Sequence, residues 1–262
     1  MTTKPARRTA SPPIVRVIAH EYAYQAPDSI RTGPTTFRLV SHGHELHFML
    51  IARIAVGHTA AELFDAIIHD APAPWITSLG GVGTVAPGDS AAKTIDLTPG
   101  HYAMWCDIET KDGIPHFKKR MFRAFTVVGP PNGAAMPHPD VTVDLTEYAF
   151  TMPASLSTGR HVVDVKNVGT QNHMALLWRL NVAVSADSVV RWIDDPAPRT
   201  DHPVMMMGGV SDLSPGQRVQ MVVDLAPGTY ILICLDDDVH DHRPHFRHGM
   251  VREFAVLPPR GP

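Results

Sequence analysis

A chain of 262 residues is long for one compact domain and comfortable for two. Its 44% hydrophobic and 19% charged residues are ordinary for a globular protein, and a formal net charge of −3 gives no electrostatic reason for nucleic acid or an anionic membrane as partner. The two cysteines, Cys106 and Cys234, are too few for a disulfide-dense scaffold, and no stretch reaches the ~18–20 apolar residues of a membrane span.

Residues 1–13 are polar, lack the apolar segment of a signal peptide and read as a flexible tail. From 14 onward the pattern is β. Short β-branched or aromatic runs occupy 14–18, 36–40, 47–54, 92–97, 102–106 and 122–128, several alternating apolar and polar residues as half-buried strands do. Thr59-Ala60-Ala61-Glu62 has capping-box form, and Leu63, Phe64, Ile67 and Ile68 continue it as an apolar stripe. This predicts one short helix covering a sandwich edge, stopped by Pro72-Ala73-Pro74. Pro99-Gly100 sets a turn before the run that carries Cys106. Residues 129–139 contain four prolines and two glycines, cannot hold a regular element and read as a linker.

Beyond the linker the chain repeats itself. Glu21-Tyr22-Ala23-Tyr24 returns as Glu147-Tyr148-Ala149-Phe150, and Gly80-Gly81-Val82 as Gly208-Gly209-Val210. Pro115-His116-Phe117 with Met121 returns as Pro244-His245-Phe246 with Met250. Strand-like runs recur at 141–145, 161–166, 173–180, 219–225, 230–234 and 251–257. A second helix is signalled by Ser185 followed by Val189, Val190, Trp192 and Ile193, with Pro196-Ala197-Pro198 behind it. The expected organisation is therefore a tail (1–13), one domain over 14–128, the linker, and a second copy over 140–258. Short strands punctuated by turns in copies of this size favour a β-sandwich over an α/β fold.

The donors that survive the repeat are few. Of sixteen histidines only His47/His173 and His116/His245 superpose, together with Cys106/Cys234 and Met121/Met250. The set is His, Cys, His, Met in that order, twice. Two imidazoles, a thiolate and a distant thioether are the ligands that suit a mononuclear copper ion shuttling between its two oxidation states. A single disulfide between the cysteines is the competing use of the same residues.

Asn167-Val168-Gly169-Thr170-Gln171-Asn172-His173 and Cys234…His245-Phe246-Arg247-His248-Gly249-Met250 resemble the ligand segments of the cupredoxin family. In the first copy Ser41-His42-Gly43-His44-Glu45-Leu46-His47 and Cys106…His116-Phe117-Lys118-Lys119-Arg120-Met121 stand in the same places. The resemblance implies an all-β fold of two tandem cupredoxin-like Greek-key sandwiches, each with one short helical insertion. It further implies one type 1 copper per domain, held by His47, Cys106, His116, Met121 and by His173, Cys234, His245, Met250, the second set being the closer match. In the family the exposed edge of the second histidine provides the electron-transfer contact, here His116 and His245. Two features depart from the family. The gaps between Cys and the second His are longer, with polar loops (Asp107, Glu109, Lys111, Asp112; Asp236, Asp237, Asp238, His240) expected to project outward. Phe48 and Met174 stand where the family commonly has an Asn that ties the ligand loops.

Multicopper oxidases and copper nitrite reductases share such domains, but need histidines directly beside the Cys. Here the neighbours are Trp105 and Asp107, or Ile233 and Leu235. The reading is thus outer-sphere electron transfer with redox proteins or small molecules as partners, without a catalytic centre. Copper storage, delivery or resistance is the first alternative, a copper oxidoreductase or an interaction domain with vestigial sites the others. The resemblance places the protein in the periplasm or outside the cell with its leader absent, and related multidomain proteins that form trimers make a homo-oligomer one expectation. His42/His44 and His240/His242 are candidates for an extra metal, and Met205-Met206-Met207 for packing at the sandwich end or, alternatively, for flanking a site or binding Cu(I).

Overall fold

The computed structural model describes residues 10–195 and 202–258. The first half runs β1 (Ile14–His20), β2 (Ala23–Gln25), β3 (Ser29–Arg31), β4 (Gly33–Ser41), β5 (His47–Ile54), α1 (Ala60–Ile68), β6 (Ile76–Val85), β7 (Ser90–Leu97), β8 (Gly100–Trp105) and β9 (Phe122–Val128). The second half repeats it as β10 (Val141–Thr146), β11 (Ala149–Thr151), β12 (Ser155–Ser157), β13 (Gly159–Asn167), β14 (His173–Leu180), α2 (Ala186–Asp194), β15 (Val204–Leu213), β16 (Arg218–Leu225), β17 (Gly228–Ile233) and β18 (Val251–Leu257). This is the all-β pair of sandwich units with one helix each that the pattern predicts.

The two halves are not separate sandwiches. Their sheets join edge to edge into an eight-stranded layer, β11-β10-β13-β16-β7-β4-β1-β2, and a ten-stranded layer, β12-β18-β17-β14-β15-β6-β5-β8-β9-β3. At the seam Val82 pairs with Val210 and Lys93 with Met221, each residue facing its own counterpart under the repeat. A local twofold axis therefore relates the halves, and the pairing gives four edge strands partners that would otherwise be open to aggregation.

β6 and β15, the seam strands of the larger sheet, escape pattern reading because glycines stand at their centres. The glycines are needed there. A Cβ on Gly81 would overlap the Met49 carbonyl, and Gly209, at φ +96°, would drive one into the Ala175 carbonyl. Neighbouring strands slip register at these points, which bends β5 and β14 around the core.

β5 is buried on both faces, where alternation would leave one side wet. The reason is α1, which lies over the outer face of the larger sheet rather than along a sandwich edge. Leu63 is buried against a cluster containing Leu50, Ala52, Trp105 and Phe117. Val189 of α2 does the same over Leu176, Trp178, Ile231 and Phe246. Thr59 and Glu62 form the expected capping box, and Ser185 accepts from the Ser188 N–H. α1 ends at Ile68 on the His69 cap, before Pro72 is reached. α2 ends with Asp195 extended, as the residue before a proline tends to be. Pro196-Ala197-Pro198 lies outside the described residues.

Of the expected tail, 1–9 lie outside the described residues, whereas Ala10 bridges to Ala134 and the Pro13 carbonyl accepts from Thr36. Residues 129–139 form no helix or strand, but Asn132 pins them to the first half through the Thr32 and Pro34 carbonyls.

Candidate metal centre

In each half the first histidine opens a strand, the cysteine follows another, and the second histidine begins a 3-10 turn (His116–Lys119 or His245–His248). The fold brings these together. One donor atom from each of His47, Cys106 and His116 lies within 4.8 Å of the others, and the same holds for His173, Cys234 and His245. All six residues are fully buried. Cys106 Sγ stands 3.5 Å from His116 Nδ1 and Cys234 Sγ 3.4 Å from His245 Nδ1, while His173 Nδ1 and His245 Nδ1 are 3.1 Å apart.

The backbone braces both clusters in one way. The Phe48 N–H points at Cys106 Sγ (3.5 Å) and the Met174 N–H at Cys234 Sγ (3.2 Å), so these residues act through their backbone amides. Phe117 N–H donates to the Cys106 carbonyl and Met121 N–H to the His116 carbonyl, with Phe246 and Met250 repeating both bonds. Met121 and Met250 are fully buried in the core that also holds the cysteines.

Both cysteines are free thiols, so the disulfide alternative falls. Burial, reinforced by the partner imidazole, pushes His47 and His173 down to about 4, and burial also lowers His116 and His245. His47 and His173 are therefore neutral at pH 7. Burial raises the Cys106 thiol to about 12 and Cys234 well above its ordinary value. Buried imidazole nitrogens without partners remain at His47 Nδ1 and Nε2, His173 Nε2 and His245 Nε2. A buried nitrogen such as His47 Nδ1 is unfavourable unless something takes up its lone pair. Neutral imidazoles and a thiol facing one point are the donor set of a soft cation that displaces the thiol proton, so these residues fit the copper that the sequence implies.

The expected exposed edge of the second histidine is absent. Neither His116 nor His245 reaches solvent. Tyr22 and Tyr148 cover them edge-on, with ring centroids 5.1 and 5.5 Å away. Both tyrosines hold φ 62°, a left-handed conformation rare for such residues, and the turn aims each ring at its histidine. The preceding Glu21 accepts the His44 N–H and Glu147 accepts from Thr170, clamping the loop before each first histidine. The repeated Glu-Tyr pair was visible in sequence, but only as repetition.

The two surroundings then diverge. In the first half Glu45 Oε2 accepts a hydrogen bond from His116 Nε2 at 2.8 Å, and the Tyr24 hydroxyl bonds the Phe48 carbonyl. In the second, Gln171 replaces Glu45 and Phe150 replaces Tyr24. Asn167 knits the Gln171 and Leu213 carbonyls together at 2.7 Å each, where the first half offers Ser41, whose hydroxyl is buried without a partner.

The polar loops do not all project outward. Glu109, Lys111, Asp112, Asp237 and His240 are exposed. Asp107 and Asp236 instead turn inward and line one cleft with Asp212, and Asp238 is buried under Tyr148 and Gln171. Burial first and mutual repulsion second raise Asp107 to about 7, and burial raises Asp212 to about 6 and Asp236 well above the carboxylate range. Nothing in the sequence signalled this, because the three positions meet only through the seam. His42, His44, His240 and His242 are exposed and join no metal-ligating group among the described residues. Asp238, Asp241 and His248 do approach one another, but Asp238 is engaged by its own loop through the His240 and Asp241 N–H groups. Met205, Met206 and Met207 lie on β15, with Met205 exposed.

The repeated sandwich thus carries two buried His-Cys-His clusters, one in each half. No family model matches the sequence, and no curated protein matches it. Among solved structures, similarity extends to a dithionite-reduced auracyanin from Roseiflexus castenholzii (20% identity, 46% of this chain and 99% of that one, TM-score 0.33). It extends also to a multicopper oxidase (15% identity, 95% and 92% covered, TM-score 0.30) and a copper nitrite reductase from Nitrosomonas europaea (13% identity, 93% and 93% covered, TM-score 0.26).

Proposed function

We propose that this chain is a two-domain copper protein that passes electrons by outer-sphere transfer. Each half would hold one type 1 copper, through His47, Cys106, His116 and Met121 or through His173, Cys234, His245 and Met250. The observation that carries this reading is the duplicated, fully buried His-Cys-His cluster with its cysteines free. When bound, copper supplies a one-electron couple in a site whose softness suits both oxidation states.

The protein's part is to hold the donors still. Strand pairing fixes the first histidine, the amide of the next residue steadies the thiolate, and the hydrogen-bonded loop sets the second histidine and the methionine. Burial excludes water, which keeps reorganisation small. Because His116 and His245 are covered, a redox partner would meet Tyr22 and Tyr148, which are half-buried and touch those rings. Neither cysteine has a histidine neighbour to relay an electron to a second metal, which favours a carrier over an oxidase. The units bearing the sites are 14–128 and 140–258, joined by 129–139. No helix among the described residues is long and apolar enough to cross a membrane. The compartment we favour is the periplasm or the exterior.

Titrating the metal-free protein with Cu(II) tests the reading. Two equivalents with intense thiolate-to-copper bands and reversible bleaching by a reductant are expected. Colourless uptake beyond two equivalents would point to storage instead, and absence of stoichiometric binding would end the copper proposal.

A further inference from the structure

Glu45 and Gln171 occupy the same place in the repeat, two residues before the first histidine of each cluster. Their side chains do different things. The Glu45 carboxylate accepts from His116 Nε2 at 2.8 Å, and also receives the Tyr22 hydroxyl at 3.5 Å. Gln171 is engaged at both ends of its amide: Nε2 donates to Asp238 Oδ2 (2.8 Å) and Oε1 accepts the Val239 N–H (2.9 Å). His245 Nε2 is left buried and without a partner. Since Nδ1 of both second histidines faces the cysteine sulfur, Nε2 is the far side of the ring, the position from which an outer group acts on a ligand.

Resting on the copper reading, we infer that Glu45 is a positioning residue that orients His116 and holds the first centre at a lower reduction potential than the second. A carboxylate accepting the Nε2 proton fixes the tautomer, raises the electron density of the ring and makes Nδ1 the stronger donor. A stronger donor, with a negative charge behind it, favours the more highly charged oxidised ion. The second centre has no such acceptor on its ring. The other carboxylates act away from the far side of either second histidine, Asp236 Oδ2 lying 3.9 Å from Cys234 Sγ. Asp107 and Asp236 flank one cysteine each, and Asp238 is tied up by donors from Tyr148, Gln171, His240 and Asp241. The first half is then the donor and the second the acceptor within a loaded chain, so a single electron rests on the second centre.

The test uses the full chain with one site at a time. Cys234→Ser leaves the first centre and Cys106→Ser the second; each is loaded with Cu(II) and titrated for its midpoint potential. The copper reading is checked first, by a thiolate band that each single-site protein retains and the double variant lacks. Given that band, the first centre should lie below the second. Glu45→Gln, which keeps the shape and removes the charge, should raise the first potential by about a tenfold change in the reduced-to-oxidised ratio, ~59 mV for one electron. Glu45→Asp should recover part of the difference, and Glu45→Gln in the Cys106→Ser chain should leave the second potential unmoved. An intact band with a first-centre potential that Glu45→Gln does not shift, or a first centre no lower than the second, overturns the role of Glu45. Loss of the band in the otherwise native single-site proteins overturns the copper reading and this inference with it.

Discussion

The two halves agree wherever a donor atom or its backbone brace is concerned, and disagree one layer out. His47, Cys106 and His116 are held by the same amide and carbonyl bonds as His173, Cys234 and His245. Around them, Gln171 takes the place of Glu45, Phe150 of Tyr24 and Asn167 of Ser41, and at the seam Met221 stands opposite Lys93. The His-Cys-His cluster thus depends on strand pairing, which the repeat preserves, whereas its electrostatic surroundings come from side chains that differ between the halves. One fold can carry two centres with different properties.

The largest expected effect tests whether the agreement is functional. Cys106→Ala and Cys234→Ala should each abolish one equivalent of copper binding and its band while leaving the other; loss of both from either change would mean that the halves are not independent sites.

The next prediction uses the seam. Lys93 is 1% exposed, and burial pushes it down to about 7. The unfolded chain holds the proton up to its ordinary value near 10.5, so the lysine opposes folding most strongly below pH 7, and this penalty fades as pH rises towards 10.5. Replacing it by the residue across the axis, Lys93→Met, should stabilise by about 5 kcal/mol at pH 6 and by little at pH 10.5. Denaturant melts at the two pH values measure this, and an equal gain at both would show that packing, not charge, is responsible.

Asp212 replaces the Thr84 of the first half. Its carboxyl is raised to about 6 in the fold, chiefly by burial, so it costs nothing below pH 3.8 and opposes folding increasingly as pH rises to 6, the penalty being complete above that. Asp212→Asn should stabilise the metal-free protein by about 1–3 kcal/mol at pH 8 and leave it unchanged at pH 4. A pH-independent effect would contradict the assignment.

The smallest effects lie at the turn before each methionine. Arg120 (φ 77°) and Gly249 (φ 101°) share the left-handed region. Arg120→Gly should stabilise and Gly249→Ala destabilise, by about 1 kcal/mol each, read as opposite shifts in thermal midpoint.

The sequence made most of this legible because both signals are periodic. His47–Ile54, Phe122–Val128, His173–Leu180 and Val251–Leu257 have the bounds that their apolar runs indicate. The repeat isolated the clustered donors from sixteen histidines. What escaped depends on contacts far apart in the chain. The seam strands hide behind glycines that permit close approach, and the helices cover a sheet face that no local pattern identifies. The inward turn of Asp107 and Asp236 requires the fused sheets. The cover over His116 and His245 requires Tyr22 and Tyr148 in a conformation that propensity does not foresee.

Anomalous diffraction at the copper absorption edge, from crystals of the fully loaded protein, tests the central claim most directly. Two peaks are predicted, one among His47, Cys106 and His116 and one among His173, Cys234 and His245. Copper found instead at the exposed histidines, or at neither cluster, would contradict it.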